Sequence, residues 1–389
     1  MRKIALVVRN LAAIGGTTTT VLQHGARFLE EGWDVHLFAE RMDVPASQLS
    51  RLKIHRIPRL ICGRTLEAMF FSKAFDWLSA PHSFEVVHGH GDILNQDVLS
   101  LHNCIHAAHE YVYGTPAPDA GTAKMHRLQK EEQRFKVLIA NSHLMKDILV
   151  RQWSVDSEKI RVIYPGYDST LFQAPAAESL RAKARELWDI LPGCIVVGMI
   201  TSGDLEKRGV GVLLKTLAQL KPGARKRIKV VIVGKPSQMT SYLEAARSMG
   251  IADQIIVKPP TSDVQSYFHG LDLFFYPALF EEFGQSVQEA MACGLPVLTS
   301  RRVGASELIR GAGERFVLSH SDAAAFAPAL EELIQSAGLR KMLGQESAQN
   351  CAANNWATNF SQTLAVYKSI LPALRTLPKV APAVAERAA

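Results

Sequence analysis

Residues 276–300 read YPALFEEFGQSVQEAMACGLPVLTS. The largely apolar run 271–276 leads into Pro277, which has no amide to donate and so ends a strand there. A short helix is expected over 285–292, stopped at Gly294, and Pro296-Val297-Leu298 begins a second buried strand. Strand, loop, helix and strand, with both strands largely apolar and Asp272 the exception, describe one unit of a parallel sheet covered on both faces.

The same grammar extends outward from this segment. Further strands are expected at 194–200, 229–234, 254–258 and 315–318, with helices at 209–220, 241–249 and 263–270 between them. Upstream, a first series of strands is expected at 4–9, 34–39, 53–57, 85–88, 100–102, 137–140 and 160–163. Between its first two strands lies an amphipathic helix, 17–31, with a threonine cluster to cap its start and Gly32 to end it. The fold class is therefore α/β, with two doubly wound, Rossmann-like domains at 1–168 and 190–355. Residues 166–191 link them, a helix at 356–377 is expected to return to the first domain, and an Ala/Pro-rich tail, 378–389, is expected to be disordered. Tandem open sheets of this kind put a ligand cleft between the carboxyl ends of their strands.

Composition agrees with two cores. The chain has 389 residues, 47% of them hydrophobic, too many for one ordinary core. It opens on Met1-Arg2-Lys3 and runs at once into a strand-length apolar stretch, and no run approaches the roughly 18 apolar residues that cross a bilayer. Five scattered cysteines without a C-x-x-C pair read as reduced thiols, so a cytoplasmic protein is expected. The net charge of +7 favours anionic partners: phosphorylated substrates, a membrane surface or nucleic acid. No RNA- or DNA-reading motif accompanies it, and nucleic acid is set aside.

The loop and helix after Pro277 carry the chemistry. Free amides at a helix start bind anions, and Gly284-Gln285-Ser286 lets a phosphate approach the backbone. Glu289, one turn further in, is costly in an apolar layer without a partner and can accept hydrogen bonds from a ribose diol. Glu281 precedes the helix and would face a sugar. The plainer alternative makes Glu281 and Glu282 ordinary helix-end charges that favour the dipole.

The run Glu281-x7-Glu289, set in E-E-F-G-x4-E-A-M-A-C-G-L-P-V, resembles the signature of glycosyltransferase family 4, retaining enzymes of the GT-B fold. The resemblance spans about residues 3–350 and implies that Glu289 holds the nucleotide ribose while Glu281 contacts the donor sugar. It places Ile14-Gly15-Gly16 near the donor diphosphate and His102 at the sugar, close to the reacting carbon. Ile139-Ala140-Asn141-Ser142 and Ile163–Asp168 match the family's strand-end and interdomain segments. Thr201–Val210 corresponds to its phosphate-clamping loop, with a departure. Met199 stands where most members have Arg, and the cations are the adjacent pair Lys207-Arg208, as in lipopolysaccharide-core glucosyltransferases. Which of the two touches the diphosphate stays open, and a solvated basic pair is the alternative.

His102, Cys104, His106 and His109 invite a zinc reading, but their spacing is loose. No D-x-D pair exists for Mg²⁺ or Mn²⁺, Asp204-x-Glu206 being the nearest, so no metal and no cofactor are expected. Arg51–Arg64 with Met69, Phe70, Phe71, Phe75 and Trp77 combines cations with aromatic bulk where the family binds acceptors and touches membranes. A buried helix with a charged lead-in is the alternative there. The resulting expectation is a hexosyltransferase using a nucleotide-diphosphate sugar, UDP-glucose by resemblance, and a saccharide or lipid-linked acceptor in lipopolysaccharide or cell-surface polysaccharide synthesis. Peripheral association with the cytoplasmic face of an anionic membrane goes with it. The rivals are a GT-B-like pair that binds a sugar nucleotide without transfer, and a sugar-nucleotide epimerase.

Overall fold

The computed structural model describes residues 2–13, 15–174, 178–201 and 203–371. Two parallel sheets form, one from each series of apolar strands. The first has seven strands, in the order Lys53–Arg56, Asp34–Ala39, Lys3–Val7, Val86–Gly89, Val98–Leu101, Val137–Ala140 and Ile160–Val162. The second has six, in the order Ile255–Lys258, Ile228–Val233, Ile195–Ile200, Leu273–Tyr276, Val297–Ser300 and Val317–Leu318. Along Lys3–Val7, Ile4 and Leu6 pack into one layer while Ala5 and Val7 pack into the opposite one. Burial on both faces is why such strands carry no polar alternation.

Strand order reverses beside Lys3–Val7 in the first sheet and beside Ile195–Ile200 in the second. Ligand crevices of open α/β sheets open at such switch points, outside the carboxyl ends of the strands. The loops that leave Lys3–Val7, Ile195–Ile200 and Leu273–Tyr276 carry Gly15-Gly16, Lys207-Arg208 and Glu281–Ser286.

Among the described residues of the linking stretch 166–191, a helix packs on the second domain. Glu178–Leu187 forms a helix whose Ala184, with Trp188 just after it, is buried in the second core. Arg181 and Arg185, one turn apart, reach the Asp272 carboxylate at 2.7 and 2.5 Å, and that carboxylate also accepts the amide of Val196 at 2.7 Å. A carboxylate entering an apolar strand needs such partners, and the helix supplies them. Helix Trp356–Ile370 lies on the first domain, where Phe360, Val366 and Tyr367 join the layer that covers Ile4 and Leu6. The end of the expected 356–377 helix and the expected tail at 378–389 lie outside the described residues.

Three local expectations need correction. The helix after Gly15 runs Gly16–Glu30, with Gly15 at its N-cap and no capping side chain. The threonines start inside the first turn, so the hydroxyls of Thr19 and Thr20 bond back to the carbonyls of Gly15 and Gly16 at 3.2 and 2.9 Å. The fifth expected strand, 100–102, shifts: it runs Val98–Leu101, and His102 stands just past its end. The aromatic cluster divides between core and surface. In helix Arg64–Ser79, Phe71 and Phe75 are buried in the core, whereas Trp77 is 76% exposed, and Leu60, Ile61 and Leu66 around the helix start are exposed as well.

Candidate functional site

A cleft of about 340 Å³ opens between the two sheets. Gly15, Gly16, Thr17, Thr19, Thr20, His102 and Asn141 line it from the first domain. Arg208, Glu281, Gly284, Gln285, Ser286 and Glu289 line it from the second. Nine of the ten side chains and glycines singled out in the sequence are thus brought together, and Lys207 is the one that is not.

Two helix starts face this space from opposite sides. Gly284 takes a left-handed φ of +95° at the N-cap of Gln285–Ala292, a conformation that suits glycine. Its first-turn amides, at Gln285 and Ser286, have no intrahelical acceptor. Helix Gly16–Glu30 begins across the cleft, and a Cβ on Gly16 would come within 2.5 Å of the Gln285 side-chain oxygen. Two positive dipole ends and one guanidinium, that of Arg208, therefore border the same volume, an arrangement fitted to an anion.

Arg208 and Lys207 divide. Loop 203–209 ends at Gly209, whose left-handed φ of +75° and close approach to the Pro277 carbonyl exclude any side chain. That turn sends Arg208 into the cleft, where its guanidinium pairs with the Glu281 carboxylate. Lys207 points the other way, with its ammonium 2.6 Å from the Glu282 carboxylate. Glu282 is 2% exposed, and its other oxygen accepts the amide of Cys104, in the opposite domain, at 2.7 Å. Ser142, also in the first domain, donates its hydroxyl to the Glu282 carbonyl at 2.6 Å. Glu282, read from sequence as a helix-end charge, is instead a clip between domains. Met199 is wholly buried in the second core and takes no part in the cleft.

Glu289 borders the cleft from the second turn of its helix. Burial alone pushes its carboxyl up to about 7, and no charged or hydrogen-bonding neighbour among the described residues offsets that cost. The partner anticipated from sequence is therefore not supplied by the protein around it.

His102 is half-buried at the cleft, and desolvation of its ring holds its pKa down at about 4. Its Nε2 lies 2.9 Å from Nδ1 of His90, and the two rings stack at 5.2 Å. His90 stacks in turn on His88, which bonds Ser100 and the Tyr367 hydroxyl at 2.7 Å each. Burial keeps His88 and His90 well below the usual histidine value, so this column is neutral. The zinc alternative fails on geometry. Among the described residues His102, Cys104, His106 and His109 form no group with ligand-like separations. His106 faces Lys130 and His109 faces the Thr115 carbonyl. Asp204 and Glu206 accept the hydroxyls of Tyr113 and Tyr242 at 3.1 and 2.9 Å and do not line the cleft.

Sequence reasoning gave no role to Tyr276 or Thr261, which also line the cleft, and noted Thr201 and Asn141 only within segments. The Oδ1 of Asn141 is buried without a hydrogen-bond partner among the described residues. A polar residue at a strand's carboxyl end was the available signal in each case except Tyr276, which reads as core.

Comparison with known proteins agrees with this fold. The family model for glycosyl transferases group 1 matches residues 198–350, and that for Glycosyltransferase Family 4 matches residues 14–171. The D-inositol 3-phosphate glycosyltransferase of Acidothermus cellulolyticus is 25% identical over 403 residues, covering 93% of this chain and 87% of that protein. Among solved structures, WaaG, a glycosyltransferase involved in lipopolysaccharide biosynthesis, superposes with a TM-score of 0.79 at 16% identity, over 94% of this chain and 99% of WaaG. HepE of Anabaena, solved with UDP and glucose, gives a TM-score of 0.73 at 16% identity, over 95% of this chain and all of that one. At such identities the structural likeness is one of fold, and that fold is GT-B.

Proposed function

Since the chain is a glycosyltransferase of GT-B fold, with a Glycosyltransferase Family 4 half and a glycosyl transferases group 1 half, we propose that it transfers a hexose, glucose foremost, from a nucleotide-diphosphate sugar with retention of configuration. The observation that carries this reading is the convergence of Arg208 and the amides of Gln285 and Ser286 on one cleft that also holds Glu281 and Glu289. Ribose hydroxyls would donate to Glu289, whose carboxylate lacks a partner among the described residues. Arg208 and the helix amides would offset charge as it develops on the departing diphosphate, which is electrostatic preorganisation. The acceptor hydroxyl would attack from the leaving-group face, and the departing β-phosphate would take its proton. Glu281 would orient Arg208 and the sugar, and neutral His102 would meet the sugar near the reacting carbon. With cations and amides at the phosphates, the reaction needs no divalent ion.

The donor assignment draws support from HepE, solved with UDP and glucose. The acceptor is a saccharide or lipid-linked hydroxyl in lipopolysaccharide or cell-surface polysaccharide synthesis. A phosphorylated cyclitol, named in the inositol-phosphate relatives, is the competing acceptor class. No helix among the described residues is long and apolar enough to cross a membrane, and the membrane contact we propose is peripheral. Exposed Ile61, Leu66 and Trp77 beside Arg56 and Arg64 are the surface that would make it.

A thermal-shift panel of UDP-, GDP- and ADP-sugars tests the donor, because a ligand that binds only the native state raises apparent stability. UDP-glucose is expected to stabilise most, and labelled glucose is expected to move to an added acceptor. Stabilisation by none of the panel would overturn the proposal, and conversion of donor in the absence of acceptor would mark an epimerase.

A further inference from the structure

A second cluster of chemistry-bearing side chains lies away from the cleft, at the outer edge of the first sheet. His36 and His55 sit on adjacent parallel strands, Asp34–Ala39 and Lys53–Arg56, where Phe38 is the register partner of His55. Residues two apart share a face, so His36 and His55 are diagonal neighbours on it. His82 reaches the same face from the turn after helix Arg64–Ser79. The three rings lie 5.0–5.3 Å apart between centroids. One ring nitrogen from each falls within 4.8 Å of the others. The nitrogens of His36 and His55 are 2.8 Å apart.

The surroundings distinguish this trio from an ordinary aromatic stack. Nε2 of His36 is buried with the Asp34 carboxylate at 3.4 Å, a charge contact without hydrogen-bond geometry, while its Nδ1 faces His55. A carboxylate on that side of a histidine favours the proton there and leaves the far nitrogen as the ligand, the sense in which carboxylates orient imidazoles on zinc. Lys53 holds the same Asp34 oxygen at 2.7 Å from the solvent side, which limits the negative charge available to a cation. Phe38 and Phe84 pack against the rings and give the site a dry wall. His55 and His82 are only half-buried, so an ion and a water ligand can enter.

We propose that His36, His55 and His82 form a binding site for a borderline divalent cation, Zn²⁺ foremost, with a fourth position open to water. Three imidazoles and water are a zinc donor set, with metal–nitrogen bonds of about 2.0–2.1 Å and hence about 3.3 Å between ligand atoms. His36 and His55 move slightly apart to meet that spacing, and His82, carried by a turn, closes inward. The bound ion ties the outermost strand to the turn that follows helix Arg64–Ser79. None of the three histidines lines the cleft, so the role is structural and separate from transfer.

Tag-free protein, stripped of metal, is titrated with Co²⁺ as a visible reporter of tetrahedral nitrogen coordination, and then with Zn²⁺ in competition. Saturation at a single equivalent, displaced by Zn²⁺, with a rise in melting temperature, is the expected result. His82→Ala, at a half-exposed turn, should weaken binding at least about 10-fold and abolish the thermal shift, and His55→Gln should do the same. The chain's other histidines and its cysteines are the controls within those variants. A wild-type protein that gives no visible Co²⁺ spectrum, or variants that bind as wild type does, would overturn the site.

Discussion

The ammonium of Lys207 lies 2.6 Å from the carboxylate of Glu282, and Arg208, the next residue, pairs with Glu281 inside the cleft. Two adjacent cations thus serve different ends, one bracing the Glu282 carboxylate that reaches across to Cys104 and the other facing the cleft. Arg208→Ala should lower kcat by on the order of 10²–10³, as for loss of one preorganised donor. Its effect on unfolding by urea should be small. Lys207→Ala leaves the carboxylate of Glu282 buried without its cation, at a cost of about 3 kcal/mol in stability. Steady-state kinetics and urea melts of both variants check the division. A kcat loss in Lys207→Ala as large as in Arg208→Ala, with stability unchanged, would contradict it.

If Glu289 holds the ribose, nucleotide affinity should depend on pH. The folded pKa of Glu289 is raised by burial from 4.5 to about 7, so the native state holds the proton more tightly than the unfolded chain. The stability tied to this group is therefore complete below about pH 4.5 and is lost as pH rises through 7. Glu289→Gln should gain stability over wild type on going from about pH 5 to about pH 8. Ribose hydroxyls prefer the ionised carboxylate, so UDP binding should strengthen through the same window and release protons. Calorimetry in buffers of different ionisation enthalpy measures that release. Glu289→Ala should weaken UDP binding by roughly 1–3 kcal/mol, and normal UDP affinity in that variant would remove the ribose role.

Transfer should persist in EDTA at moderate temperature, since the anion site is built from Arg208 and helix amides. The same chelator should lower the melting temperature if the histidine trio holds zinc. Turnover lost to EDTA and restored by Mn²⁺ or Mg²⁺ would point to a metal at the diphosphate.

The exposed strip near helix Arg64–Ser79 should bind anionic vesicles in low salt and release them as screening grows. A variant with Arg56 and Arg64 neutralised and Trp77 replaced by Ser should float less with phosphatidylglycerol vesicles. Phe71 and Phe75 should be left intact, because both are core residues. Equal flotation of variant and wild type would end the membrane assignment.

Much of this was legible in the chain because burial on two faces leaves little choice of residue. Strands such as Lys3–Val7 and Ile195–Ile200 are apolar at nearly every position, and Gly284 and Glu289 stand in a motif too long for chance. The direction of Lys207 and Arg208 was not legible. It is set by the left-handed turn at Gly209, which exists because the Pro277 carbonyl passes too close for a side chain. Glu282 escaped notice for a similar reason, since its partners Cys104 and Ser142 belong to the other domain. The threonines after Gly16 marked a helix start correctly but not its cap, because composition does not fix which residue is last outside the helix. The histidine trio is invisible in sequence, since sheet pairing and one turn bring together residues that no spacing rule connects.

At Gly166 the chain leaves the first domain, and at Asn355–Trp356 it comes back. The two passages touch: Tyr167 bridges Asn355, and a Cβ on Gly166 would come within 2.5 Å of the Trp356 amide. The second domain is therefore an insert with both of its seams side by side. A chimera cut at one seam only would give the first domain a foreign closing helix in place of Phe360, Val366 and Tyr367, and would fail for reasons unrelated to catalysis. Exchange at both seams keeps that helix with its own sheet, and makes the second domain a cassette that can be traded between relatives.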